Sequence, residues 1–441
     1  MNVGFISLGC AKNLVDSEHM ATVLRAEGIA LAPSPEEADI ILVNTCGFIG
    51  DAKEESVDAI LRVCARKQSG GCKAVIVAGC LIQRYKAELQ RAIPEVDAFI
   101  GLDQLPEIGR VVRQLEGGMR GIMKVSAVSS KVFSPLPSRI ILTGGPFAYV
   151  KIAEGCDHRC AFCAIPGIRG RYRSRGMDDI VSEAETLLGQ GIRELNLISQ
   201  DTTRYGYDLN DGTHLPALLH RLSKLGGTFW IRLLYGHPAW LTDELLDTMG
   251  AIPQVCRYLD IPIQHAHAKV LQAMRRPGGM DAVRRFPERA RSRLPGVVLR
   301  TTCLVGFPGE TVSQFNELVR FIQDAEFDHL GVFAYSPEET TPAATFPNPV
   351  SQAAGWRRRN KVMSIQQAIA FRKAKARRGL KDEALLIRPL AGHLWEARSR
   401  GQAPDVDGIT RITGISAKAK PGSLVSIRYT GATGYDLKAE A

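Results

Sequence analysis

Short apolar runs alternate with stretches of helical periodicity along the first 120 residues of the chain. Residues 3–8 (VGFISL), 39–44 (DIILVN) and 74–78 (AVIVA) read as buried strands, and residues 13–27, 51–66 and 83–92 as the helices that follow them. Strand then helix, repeated, predicts a parallel sheet covered by helices. Residues 121–140 carry Ser and Pro with few periodic apolar positions and read as a linker. A second alternating stretch follows, with strands predicted at 147–152, 194–199, 230–234, 258–262, 297–305 and 329–334. Six strands with helices between them predict a complete or partial β/α barrel. Beyond residue 380 the runs LLIRPL, ITRITGI and LVSIRYT alternate with Gly and Pro turns, the pattern of a small β-barrel. The fold class is therefore α/β: an N-terminal parallel α/β domain (1–120), a central partial β/α barrel (140–375) and a C-terminal small β-barrel (376–441).

Composition narrows this little. A length of 441 residues suits two or three domains. No run of eighteen apolar residues occurs, so no membrane span is expected. Residues 1–9 have no positively charged start and go straight into a strand-like run, which argues against a secretory signal and for the cytoplasm. The net charge of +10 favours an anionic partner without saying whether that is RNA, a ribosome or a small acid. Residues 351–380 hold nine Lys or Arg and no acid on a helical pattern, either a solvated face or an RNA contact. Ten cysteines are many for disulfides in a cytoplasmic protein and point to metal binding or catalysis.

Two cysteine constellations carry the chemistry. Residues 155–163 read GCDHRCAFC, directly after a predicted strand, and place Cys156, Cys160 and Cys163 at C-x3-C-x2-C. Zinc sites come as paired C-x2-C halves or with histidine spacing, and His158 lies at the wrong offset for either. Thiolates hold iron–sulfur clusters, and three ligands on a cubane leave one iron free for another group. The second constellation is dispersed. Cys10, Cys46 and Cys80 each follow a predicted parallel strand, and ligands gather beyond the carboxyl ends of such strands. Gly9, Gly47 and Gly79 beside them permit close backbone approach to a bulky ligand. Buried core thiols are the alternative for these three, and the preferred reading for Cys64, Cys72, Cys256 and Cys303.

The C-x3-C-x2-C loop, with Phe162 before its last cysteine, resembles the radical S-adenosylmethionine signature. Together with three dispersed N-terminal cysteines and a C-terminal small β-barrel, it is similar over nearly the whole chain to the methylthiotransferases. Three segments are similar to the branch that modifies an aspartate of small-subunit ribosomal protein twelve. They are residues 7–18 (SLGCAKNLVDSE), 160–175 (CAFCAIPGIRGRYRSR) and 403–408 (APDVDG). The resemblance implies two [4Fe–4S] clusters, on Cys156, Cys160 and Cys163 and on Cys10, Cys46 and Cys80, and S-adenosylmethionine as methyl donor and radical source. It implies conversion of a C–H bond to C–S–CH3, a substrate-binding C-terminal domain called TRAM, a reductant protein such as flavodoxin or ferredoxin, and a monomer. The family's Y-S-x-E-x-G-T-x-A segment stands here as YSPEETTPAA, with Thr340 in the usual glycine position, where an unusual backbone angle would be costly.

Further residues are candidates for cofactor contact. Ser199, Gln200 and Asp201 follow the second barrel strand, although Asp201 would equally cap a helix. Arg300 has the fork to pair with the cofactor's carboxylate, or with a buried acid of the chain. Gly306 opens a GFPGET turn that admits adenine or is simply tight. Arg169, Arg171, Arg173 and Arg175 alternate as a solvated face or a grip on an acidic partner. Two other functions compete. A transfer-RNA methylthiotransferase would use the same radical on an adenosine, but residues 381–441, with nine Lys or Arg against seven acids, are less basic than a phosphate-gripping domain. A non-catalytic iron–sulfur protein would explain the cysteines but not the barrel.

Overall fold

A computed structural model describes residues 1–133 and 138–441, which form two compact units. The first comprises Met1–Leu142, Lys151–Glu183 and Ser336–Ala344; the second comprises Thr143–Val150, Ala184–Tyr335 and Thr345–Ala441. The expected linker at 121–140 lies partly outside the described residues, at 134–137.

The first unit is built on a parallel sheet of β1 (Asn2–Ser7), β2 (Ala30–Leu31), β3 (Ile40–Thr45), β4 (Ala74–Gly79), β5 (Ala98–Ile100) and β6 (Ile122–Lys124), in the order β2-β1-β3-β4-β5-β6. β3 and β4 are buried at every position, as strands covered on both faces must be, and this is why they read as unbroken apolar runs. Successive side chains alternate faces. Ile40, Leu42, Ala74 and Ile76 pack toward α1 (Ala11–Ala26) and α4 (Ile108–Glu116); Ile41, Val43, Val75 and Val77 pack toward α2 (Gly50–Gln68) and α3 (Cys80–Ala92). β6 falls inside the stretch expected to be a linker, which corrects that expectation: three residues were too few to show a period.

β7 (Phe147–Lys151) ends where the first unit resumes. There β8 (Ala153–Glu154) pairs antiparallel with β9 (Arg173–Ser174), and the ribbon frames the loop 155–172 with its short helix α5 (Ile165–Arg169).

The second unit holds an open parallel sheet of β7, β10 (Glu194–Ile198), β11 (Trp230–Leu233), β12 (Val255–Asp260), β13 (Val298–Val305) and β14 (His329–Ala334), each beside its neighbour in sequence. It is a partial barrel. The helix Gln352–Ala376 then leads to a closed barrel of β15 (Lys381–Pro389), β16 (Trp395–Ser399), β17 (Thr410–Thr413), β18 (Leu424–Thr433) and β19 (Asp436–Glu440), ordered β15-β16-β17-β19-β18. Of the nine cations expected on a uniform face at 351–380, Arg358, Arg372 and Lys373 pair with Glu310, Glu326 and Asp328.

Two buried carboxylates fasten the small barrel to the sheet. Asp407, in the APDVDG segment, accepts Tyr258 Oη at 2.7 Å and meets Arg300 at 3.2 Å and His329 at 3.3 Å. Its neighbour Asp405 accepts Tyr149 Oη at 2.7 Å. Glu194 takes Arg232 at 2.7 Å on one oxygen and Arg398 on the other. Burial alone would push its carboxyl up; Arg398 and Arg232 outweigh that and hold it below the ordinary range. A carboxyl lowered on folding contributes stability above its unfolded value, about 4.3, and loses it only as pH falls through the depressed value. Glu194→Gln is therefore expected to cost about 3–5 kcal/mol in urea unfolding at neutral pH, because Arg232 is left buried with its charge uncompensated. The difference from wild type should shrink in acid; a loss below 1 kcal/mol at neutral pH would contradict this.

Candidate functional site

The strand order of the first unit decides where its ligand site lies. β1 and β3 are neighbours, but the chain leaves β1 toward β2 on one side and leaves β3 toward β4 on the other. The crevice this opens beyond the carboxyl ends is the binding position of a doubly wound sheet. Cys10 follows β1 and is the N-cap of α1; Cys46 follows β3; Cys80 is the first residue of α3. Two of the three thiols thus stand at helix N-termini.

Polar side chains lock the three turns together. Asn13 Nδ2 donates to Leu8 O at 2.8 Å and Thr45 O at 3.0 Å, tying the Cys10 and Cys46 turns. Thr45 Oγ1 donates to Ala78 O at 2.6 Å, and Ser56 Oγ both accepts from Cys46 N and donates to Cys46 O. A Cβ on Gly9 would stand 2.8 Å from Cys46 Cβ, and one on Gly79 would stand 2.3 Å from Asn44 Oδ1, with positive φ at both. The glycines let the turns approach one another, which is a different service from admitting a ligand. Cys10 is exposed, Cys46 half-buried and Cys80 buried. Burial pushes the Cys80 thiol up to about 12 against the opposing pull of Arg169.

The second set is held by the β8–β9 ribbon. Cys156 N donates to Gly170 O and Cys163 N to Cys160 O, both at 3.1 Å. Asp157 takes Arg171 Nε at 2.6 Å and Tyr172 N at 3.1 Å, closing the loop across its base. Cys156 and Cys160 are buried and Cys163, like Phe162, half-buried. Ala161 O accepts from Ala343 N at 2.8 Å, and Glu338 of the same segment pairs with Lys53 at 2.9 Å and Arg84 at 2.7 Å. Thr340 is absent from the positive-φ residues and lies 3.3 Å from Arg84 Nη2, so threonine carries no left-handed strain there.

The alternating arginines are not one solvated face. Arg169 and Arg175 are buried in ion pairs with Asp16, Glu154 and Glu183; Arg171 is the exposed member. Sequence reasoning missed Asp16, Lys151 and Glu154, which join Arg169 in one buried network. Lys151 meets Asp16 at 2.5 Å and Glu154 at 2.6 Å, and Arg169 meets each acid at 2.9 Å. Only their placement inside otherwise functional motifs hinted at this.

Among the described residues no group of His, Cys, Asp or Glu is gathered tightly enough for a single metal ion. Three thiols in each set are the donor type that iron–sulfur clusters take.

In the second unit Ser199 is buried, with Oγ 3.4 Å from Thr202 Oγ1, and Asp201 caps the turn Thr202–Arg204 through Thr203 N. Arg300 is engaged by Asp260 at 3.5 Å and Asp407 at 3.2 Å. Both partners are acids of the chain, the second of the two readings its fork allowed. Gly306 has φ +76 and its N–H donates to Glu310, so the GFPGET turn is held from within. Cys64, Cys72, Cys256 and Cys303 are buried core thiols.

Residues 2–101 match a family described as uncharacterized protein family UPF0004, residues 150–322 the radical SAM superfamily, and residues 382–441 the TRAM domain. The ribosomal protein uS12 methylthiotransferase RimO of Pelotomaculum thermopropionicum is 45% identical over 100% of this chain and 99% of its own length. The protein of the same name from Syntrophus aciditrophicus is 45% identical over 100% and 98%. The chain belongs to the RimO family of methylthiotransferases. Membership makes it a radical SAM enzyme and implies S-adenosylmethionine and a [4Fe–4S] cluster. Among solved structures, the radical S-adenosylmethionine methyltransferase TsrM from Kitasatospora setae shares the fold with TM-score 0.58 at 14% identity, over 78% of this chain and 74% of that one. The cobalamin-dependent radical enzyme OxsB gives 0.53 at 12%, over 83% and 56%. No helix among the described residues is long and apolar enough to cross a membrane.

Gly79→Ala tests the packing of the RimO-type cysteine turns. It should cost about 1–3 kcal/mol from its positive φ, and more from the clash with Asn44. Gly28→Ala, also at positive φ but with nothing within 4 Å, pays only the first part. Equal losses for the two in thermal unfolding would contradict the close approach.

Proposed function

We propose that this chain carries out on its own substrate the reaction named for its relatives, replacing a hydrogen on the β-carbon of an aspartate in small-subunit ribosomal protein uS12 with a methylthio group. The observation that carries the reading is that two sets of three cysteines belong to one compact unit. Each set stands on its own scaffold of turns and backbone hydrogen bonds. One set serves hydrogen abstraction and the other holds a second [4Fe–4S] cluster for sulfur delivery, with residues 1–120, 140–375 and 376–441 as the sulfur, radical and substrate-gripping domains. S-adenosylmethionine at the loop cluster supplies one-electron chemistry, which the substrate requires because a β C–H bond is not acidic enough for a base.

The residues of the chain bind and orient. Cys156, Cys160 and Cys163 hold the reducing cluster, with Phe162 beside it; Cys10, Cys46 and Cys80 hold the other. Ser199, Gln200 and the Gly306 backbone contact the cofactor, and Asp201 keeps their turn in place. The near-neutral C-terminal barrel suits a protein loop better than a phosphate backbone. The reading carries with it a small reductant protein, flavodoxin or ferredoxin, and a monomer acting in the cytoplasm.

Anaerobic reconstitution is expected to give about eight irons per chain, and Cys156, Cys160 and Cys163 changed to Ala about four. The corresponding change at Cys10, Cys46 and Cys80 should leave reductive cleavage of S-adenosylmethionine intact and abolish thiomethyl transfer; loss of both in a folded protein would contradict the division of roles. With S-adenosylmethionine, sulfide and reductant, a uS12 peptide carrying the aspartate should gain about 46 mass units, H for SCH3. Transfer RNA in the same mixture should gain nothing. The opposite pattern would transfer the assignment to an adenosine substrate.

A further inference from the structure

We propose that Arg169 is a positioning residue of the N-terminal cysteine site, holding the Cys80 sulfur by an N–H···S bond so that the cluster there is easier to reduce. The proposal rests on the two-cluster reading above.

Arg169 is the last residue of α5, inside the loop that carries Cys156, Cys160 and Cys163, yet its side chain ends at the other set of cysteines. Its Nη2 lies 3.3 Å from Cys80 Sγ, 3.1 Å from Asn13 Oδ1 and 2.9 Å from Asp16 Oδ2, and its Nη1 lies 2.9 Å from Glu154 Oε1. Asn13 Oδ1 is itself 3.8 Å from Cys80 Sγ. The planar fork explains why arginine is needed, since one ammonium could not face a sulfur and two carboxylates on opposite edges. Around the sulfur, Leu102, Ala164 and Ile168 form an apolar cluster with Cys80, so the guanidinium is its polar neighbour in a water-poor setting. Lys151 completes the charge balance, two cations against Asp16 and Glu154.

Hydrogen bonds to the sulfurs and nearby charge set the potential of an iron–sulfur cluster. A donor that is also a cation offsets the negative charge added on reduction. A purely structural Arg169 would affect stability and leave that potential alone.

The test uses the full chain with Cys156, Cys160 and Cys163 changed to Ala, so that every EPR signal comes from the N-terminal site. Because Arg169→Met alone leaves excess buried negative charge, it is combined with Glu154→Gln, which removes one charge of each sign. The expected result is a midpoint potential shifted to more negative values, with iron content and circular dichroism retained. Arg169→Lys should shift it less, since it keeps the charge and loses the fork. Loss of N-terminal iron from a double variant that still unfolds cooperatively shows a structural role alone and overturns the proposal, unless Arg169→Lys keeps its iron with a potential shifted to more negative values. An unchanged potential in the folded, iron-loaded double variant overturns it; if that variant fails to fold, an unchanged potential in Arg169→Lys does so. Absence of iron from the parent triple-Ala chain overturns the two-cluster reading and the proposal together, an outcome distinct from an unchanged potential.

Discussion

Four buried charges, Asp16, Lys151, Glu154 and Arg169, hold the first unit together. Asp16 comes from α1, Lys151 from the end of β7, Glu154 from β8 and Arg169 from the end of α5. Burial would push the Glu154 carboxyl up, and Arg169 with Lys151 more than reverses this. Buried ion pairs add little net stability when complete, but removing one partner costs about 3–5 kcal/mol. The network therefore acts chiefly as a specification: the ribbon docks in one register, with the Arg169 fork against Cys80, or it does not dock well at all.

Everything chemical in the first unit inherits that register. The parallel sheet places three strand ends at its switch point, and backbone approach at Gly9 and Gly79 with bridges from Asn13, Thr45 and Ser56 brings their cysteines into neighbouring turns. The ribbon supplies three more cysteines in a loop clamped by Asp157. In the second unit the same logic recurs without chemistry. Asp407 and Glu194 are buried acids met by cations from neighbouring strands, and they seat the small barrel on the sheet. The APDVDG segment is thus an anchor as well as a signature.

What could be read from the sequence was what depends on local pattern. β1, β3, β4 and the six strands of the open sheet were visible as short apolar-rich runs, unbroken in β4, which is buried at every position; Cys10, Cys46 and Cys80 were visible because each follows such a run, and the loop cysteines by their spacing. β2, β5 and β6 escaped because two or three residues show no period, and β16 and β19 because WEARS and DLKAE mix charged residues into the run. The arginine run at 169–175 was legible as positive charge but not as buried at its two ends, since Asp16, the partner of Arg169, is distant in sequence. Arg300 offered a fork to any carboxylate, and only the fold could show that Asp407 takes it. Thr340 looked strained by comparison with a motif, whereas its backbone avoids the left-handed region altogether.

The claim that the buried network makes sheet and ribbon one cooperative body is tested most directly by native-state hydrogen exchange in low denaturant. The amides of Cys156 and Gly170 in the ribbon, and those of β3 and β4, should open with the same free energy and the same denaturant dependence. Asp16→Asn should lower both groups together. Ribbon amides that open at a much lower free energy, with β3 and β4 still fully protected, would contradict the account.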